Sequence, residues 1–264
     1  MSLPFVNIEY TGNESCVSWQ GLSFCSSEKL SSFMQREVAE RLKDTPGRDE
    51  FESHLKSLAL TEMGKENLEA VLKAEIPEER TWAVGEALAE ALLISNRGVV
   101  FPWNMERDKR NAKGSLPGAD IVGFVPLDSG FQLVLGEVKT ASETKYPPGV
   151  MLGRSGLVHQ IDNLARNMST IYQLLRWLQP RCKNTEYQEA FDHSVALYLN
   201  SGNKAASLFG ILIRDTAPNK LDLEGRGKAL GNTVIRPASC ELIAVYLPFE
   251  ITDLLSQIEG GGAA

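Results

Sequence analysis

With 264 residues, 43% of them hydrophobic and 23% charged, the chain has the make-up of one large folded domain or of a compact core with an accessory region. No apolar run approaches the roughly 18 residues of a membrane span, and the opening MSLPFVNIEYTG lacks the basic and apolar blocks of a signal peptide, so a cytoplasmic protein without a membrane partner is expected. The net charge of −7 argues against a nucleic-acid ligand, but its distribution reverses the argument. Residues 97–183 hold twelve Lys and Arg against seven Asp and Glu, including RDKRNAKG at 107–114, whereas the remainder holds fifteen against twenty-seven. A basic stretch on an acidic protein can follow a phosphate backbone, or it can be a solvated loop.

In chain order, FVNIEY and CVSWQGLSFC alternate apolar and polar residues around TGN and predict a hairpin. SSEKLSSFMQREVAERL follows as a serine-capped amphipathic helix, and 50–73, with Leu55, Leu58, Leu68 and Leu72, as another helical segment. Residues 1–76 thus read as an accessory region without chemistry of its own. PEERTWAVGEALAEALLISNRG has proline at its start, acids in the first turn and Gly98 after its end, which predicts a helix. A short strand VVFPW is expected next, then strands in ADIVGFVPL and FQLVLGEVKT joined at DSG. Beyond a loop lie a long helix over about 157–178, a helix in TEYQEAFDHSVALYL, and strands in SLFGILIRD and CELIAVYLPF. That order predicts an α/β core over 77–250, with helices packed on a central mixed sheet, and a flexible tail over 251–264. Cys16, Cys25, Cys182 and Cys240 show no CxxC spacing and read as free thiols of a reducing compartment.

The chemistry gathers at LVLGEVKTAS. In a strand, Glu137 and Lys139 point to one face and Val138 to the other. A hairpin around DSG with a three- or four-residue loop pairs residues whose numbers sum to about 258 or 257; the second register sets Asp120 directly across from Glu137. Two carboxylates so close repel unless a cation joins them. Lys139 alone would make a structural triad, for which the stability motive is weak. A hard divalent ion is the better reason, because Mg²⁺ takes one or two carboxylates and keeps several waters.

GAD at 118–120, sixteen residues, then EVK at 137–139 resembles the PD-(D/E)XK nuclease superfamily. The resemblance implies a restriction-endonuclease-like core of helix, three-strand meander, helix and strand. It implies Mg²⁺ (or Mn²⁺) held by Asp120, Glu137 and the Val138 carbonyl, with Lys139 positioning or deprotonating the attacking water. A glutamate of the first core helix often contributes in this superfamily. Glu86 and Glu90 are the candidates here, and Glu86 is the favoured inward residue. Gln160 stands where some RecB-type members carry a glutamine, although their tyrosine four positions later is Leu164 here. Neighbouring His159 reads as a surface or capping residue, and His54 and His193 offer less.

Over most of its length the chain further resembles the nuclease subunits of the Hachiman anti-phage defence system. That likeness implies a DNA nuclease held by a partner helicase. The chain has no GxxxxGK[ST] motif, so an ATP-driven step would come from a partner. Two other readings stay open: a non-catalytic nuclease-fold scaffold binding DNA or a helicase, and a repair or restriction endonuclease. No zinc finger or winged-helix signature favours sequence-specific recognition.

Overall fold

The computed structural model describes residues 3–73, 81–108 and 118–260. Residues 109–114 of the basic stretch, the start of the helix expected from Pro77, and the last four residues lie outside the described residues. The expected hairpin forms β1 (Val6–Glu14) and β2 (Val17–Phe24), but β1 runs on through Thr11–Asn13. The chain reverses instead at Ser15, whose φ is 56°, so that Glu14 pairs with Val17.

The helical N-terminal region begins with α1 (Glu28–Phe33), capped by the Ser27 side chain on the Leu30 N–H. A π-helical turn, Met34–Val38, leads into α2 (Ala39–Leu42). The segment expected over 50–73 is two helices, α3 (Thr45–Leu58) and α4 (Glu62–Lys73), neither of which buries a residue. Then follow α5 (Thr81–Arg97) and a short α6 (Met105–Asp108). VVFPW contributes one bridge, Val100 to Phe124, rather than a strand. Its Phe-Pro-Trp end turns away, and the Trp103 indole donates to the Val122 carbonyl at 2.8 Å.

Strands β3 (Ile121–Leu127) and β4 (Gly130–Ala141) form the second hairpin, and β5 (Ala206–Arg214) and β6 (Ser239–Tyr246) complete the sheet. The helix expected over 157–178 is broken into α7 (Leu157–Arg166) and α8 (Met168–Cys182). Asn167 stands at the break, and its side chain accepts from the Ser169 and Thr170 N–H groups at 3.0 and 3.1 Å, starting the new helix. Two helices remain on the way round the sheet, α9 (Gln188–Asn200) and α10 (Glu224–Gly231), the second hidden in the sequence by its glycines.

Six strands lie in the order β1-β2-β6-β5-β4-β3. The outer pairs are antiparallel, while β2, β6, β5 and β4 run parallel. All nine residues of β5 are buried, as expected of a central parallel strand covered on both faces. The structure is thus an α/β fold with a mixed six-stranded sheet between helical layers. α7, α9 and α10 cover one face, and α5 with the α1–α2 segment covers the other. No helix among the described residues is long and apolar enough to cross a membrane.

Both ends of the expected domain division are revised. The N-terminal hairpin is no separate layer, because β2 pairs in parallel with β6 from Val17–Cys240 to Ser23–Tyr246. The supposed tail is ordered through Gly260: a 3₁₀ turn, Ile251–Asp253, leads into α11 (Leu254–Glu259), which packs on α5 with Leu254 and Ile258 buried. The apolar pair one turn apart, rather than the glycines beyond it, governs this segment. Substituting Leu254→Ala should lower the unfolding free energy by about 2–5 kcal/mol in urea denaturation; a loss below about 0.5 kcal/mol would show that the segment contributes nothing to the core.

Candidate active site

The β3–β4 hairpin closes on a two-residue loop, Asp128-Ser129, with Leu127 paired to Gly130. The loop is shorter than expected, yet the pairs sum to 257 throughout, ending at Ile121–Gly136. Gly130 has φ 127°, and any Cβ there would lie 2.4 Å from His193 Nε2. His193 Nδ1 stands 3.0 Å from the Phe131 amide nitrogen and 2.8 Å from its carbonyl oxygen, so this histidine fixes the turn and is remote in role from catalysis. His159 and His54 are exposed.

At the other end of the hairpin, Asp120 comes opposite Glu137. Its N–H donates to the Gly136 carbonyl at 3.0 Å, and its Oδ2 accepts the Val138 N–H at 2.9 Å. Lys139 Nζ donates to Glu137 Oε1 at 2.6 Å. Asp120, Glu137 and Lys139 therefore meet on one face of the sheet, as the 257 register requires. In a strand the N–H and C=O of one residue point to the same side. The Val138 carbonyl is thus directed along the edge where β3 has not yet begun, toward Asp120.

Burial makes this cluster electrostatically costly. Glu137 is 5% exposed. Desolvation raises its pKa from the ordinary 4.5 to about 8, with the Asp120 carboxylate adding to the rise and Lys139 opposing it. The two effects of Lys139, a hydrogen bond and a positive charge, fall short of offsetting burial beside a second carboxylate. Burial and the neighbouring carboxylate thus disfavour the ionised form of Glu137, despite its short contact with the ammonium.

The remaining candidates surround the trio without touching it in the same way. Gln160 lies on α7, whose Leu157 and Ile161 pack against the backbone of Gly210, the β5 partner of Glu137. A Cβ on Gly210 would stand 2.6 Å from Leu242 Cδ2 and 3.2 Å from Leu157 Cδ2, so glycine is what admits the helix here. Gln160 Oε1 is buried and has no hydrogen-bond partner among the described residues. Glu86 and Glu90 lie on α5, in the layer that covers the opposite face. Gly85 packs on Thr140, so Glu86, itself buried, comes to the level of the site from that other layer. Both glutamates point inward, whereas the sequence favours Glu86 alone as the inward residue: Glu90 is fully buried and pairs with Arg41 at 2.7 Å, a structural role.

The four cysteines are free thiols, as expected, with Cys182 and Cys240 buried. Among the described residues no group of three or more His, Cys, Asp and Glu side chains is arranged to hold a metal ion. The pair Asp120–Glu137 nevertheless suits a hard cation that takes few protein ligands. Its carboxylates are adjacent and short of positive charge, and Gln160 presents an unpartnered oxygen on the covering helix. Compared with family models and with curated proteins, the chain finds no match in either.

The pH dependence of stability reads the cluster directly. With its folded-state pKa raised, Glu137 binds more proton in the native state than in the unfolded state between about pH 4.5 and 8. Metal-free wild type should therefore lose stability relative to Glu137→Gln as pH rises through that window, with a slope of up to about 1.4 kcal/mol per pH unit. Parallel urea-unfolding profiles for the two proteins from pH 5 to 8 would show that Glu137 titrates normally.

Proposed function

We propose that this chain is a divalent-metal-dependent nuclease of the PD-(D/E)XK type, hydrolysing DNA phosphodiester bonds without sequence specificity. The observation that carries the reading is the meeting of Asp120, Glu137 and Lys139 on one largely buried sheet face. A purely structural triad is a poor account of it, since two carboxylates and one ammonium leave a negative excess where charge is costly. The architecture is compatible: a mixed sheet with the hairpin at one edge, α5 preceding it, α7 following it and β5 beside it.

In this reading Asp120, Glu137 and the Val138 carbonyl hold Mg²⁺ or Mn²⁺. The ion, when bound, supplies charge to the phosphate and lowers the pKa of coordinated water. Lys139, two residues on from Glu137 and a quarter exposed, then faces the attacking water and the phosphate. Its ammonium orients the water and offsets the negative charge that grows as the new P–O bond forms and the ester oxygen leaves. Gln160, with its free oxygen, accepts a hydrogen bond from that water. The Val138 N–H holds Asp120 in place by its bond to Oδ2. The site falls within the stretch 97–183, whose positive excess suits a nucleic-acid backbone.

The same reading places the chain in anti-phage defence beside a helicase or other ATPase subunit. Support for a protein partner comes from α3 and α4, which bury nothing of their own. They leave Phe51, Leu58, Leu60, Met63 and Val71 more than half exposed.

Supercoiled and linear DNA incubated with the protein and millimolar Mg²⁺, with and without a co-purifying ATPase, tests the activity. Wild type should cleave, chelation should stop it, and Glu137→Ala and Lys139→Ala should each lose at least about 100-fold in rate. Equal degradation by wild type and both variants would place the activity elsewhere. Tight DNA binding with no cleavage in any state would favour the non-catalytic scaffold.

A further inference from the structure

A second buried charge lies two residues beyond the site on the neighbouring strand. Arg214 ends β5, pairs with Ala141 at the end of β4, and is completely buried. Its register places it on the sheet face of Glu137 and Lys139, because Ala141 follows them at successive steps of two. Nη1 pairs with Asp222 Oδ1 at 3.2 Å. Both terminal nitrogens reach the Lys145 carbonyl at 3.3 Å, and Nη2 also donates to the Glu143 carbonyl. The guanidinium lies over the Tyr146 ring, 5.4 Å from its centroid.

Asp222 is fixed in turn. Its Oδ2 accepts the Tyr246 hydroxyl at 2.9 Å, and the Tyr246 hydroxyl oxygen is itself 2.8 Å from the Tyr10 hydroxyl. The network therefore reaches from β1 across β6 to β5 and ends on the two carbonyls of the segment that leaves β4. Stability alone gives little reason for it, since a buried Arg–Asp pair commonly contributes no more than apolar packing of the same volume. Its distinctive product is a loop held by a rigid fork: the planar guanidinium can serve two carbonyls and a carboxylate at once, which a lysine ammonium on a flexible stem cannot.

We propose that Arg214 is a positioning residue: by clamping the Glu143–Tyr146 segment onto β5 it fixes the end of β4, and so the direction of Lys139. The proposal rests on the nuclease reading for its catalytic consequence, but not for the clamp itself. The clamp has an independent readout, because Lys145 is exposed while its backbone is held, so the bond after Lys145 is a trypsin site protected only by the loop's order.

The test compares wild type with Arg214→Lys and with the paired change Arg214→Met/Asp222→Leu, which leaves no uncompensated buried charge. Urea unfolding, trypsin cleavage after Lys145 under native conditions, and kcat and KM for DNA at saturating Mg²⁺ are measured on each. Cleavage after Lys145 should accelerate at least tenfold in both variants. kcat should fall at least tenfold with KM within threefold, and should do so in whichever variant keeps the wild-type urea midpoint. A loop cut at the wild-type rate in a folded variant would overturn the clamp. A loop that opens while kcat is unchanged would overturn the positioning role. If wild-type protein cleaves no DNA and the loop still opens on substitution, the nuclease reading fails and the clamp stands.

Discussion

The antiparallel register of β3 on β4 is the constraint from which the site follows. Pairs that sum to 257 bring Asp120 opposite Glu137, and a slip of β3 by one residue would turn Asp120 onto the face covered by α5, away from Glu137 and Lys139. The register is secured at both ends of the hairpin. Gly130 and His193 fix the turn from α9, and the Asp120 side chain ties itself to the Val138 N–H at the other end. The bond that sets the register is thus also the bond that sets the candidate ligand.

Electrostatics make that register consequential. Covering this face with α7 removes Glu137 from water, and a second carboxylate then stands beside it in a poorly polarisable setting. Lys139 reduces the strain on the ionised form without removing it. A divalent ion held between the two carboxylates would offset their repulsion. Beside this, Arg214 and Asp222 form a balanced pair, fully buried and linked to Tyr246, on the same sheet face. One buried cluster is short of positive charge and the other is neutralised, which is why the first reads as a site and the second as a support.

Much of this was legible in the chain because its signals are local. The apolar run that ends in Glu137 and Lys139, the glycine that follows α5, and the alternation in the N-terminal hairpin specify elements over a few residues. The 257 register was one of two that the DSG turn allowed, and choosing between them needed the turn geometry. What stayed hidden depends on distant partners. Nothing within residues 1–25 announces that β2 pairs in parallel with β6, more than two hundred positions later. Asn167 could be recognised as a cap, but the unbroken apolar periodicity across it favoured one long helix. Leu254 and Ile258 form too short a stripe to outweigh the glycines that follow. Arg214 carried the same kind of sign as the EVK run, a charge closing an apolar strand, and its meaning required Asp222 and the loop carbonyls to be seen around it.

The central claim is that Asp120 and Glu137 form one divalent-cation site, and calorimetric titration of metal-free protein with Mn²⁺ tests it most directly. Wild type should bind with a resolved heat that disappears in both Asp120→Asn and Glu137→Gln, while each variant keeps the far-ultraviolet circular dichroism of wild type. Binding of equal affinity in all three folded proteins would contradict the account.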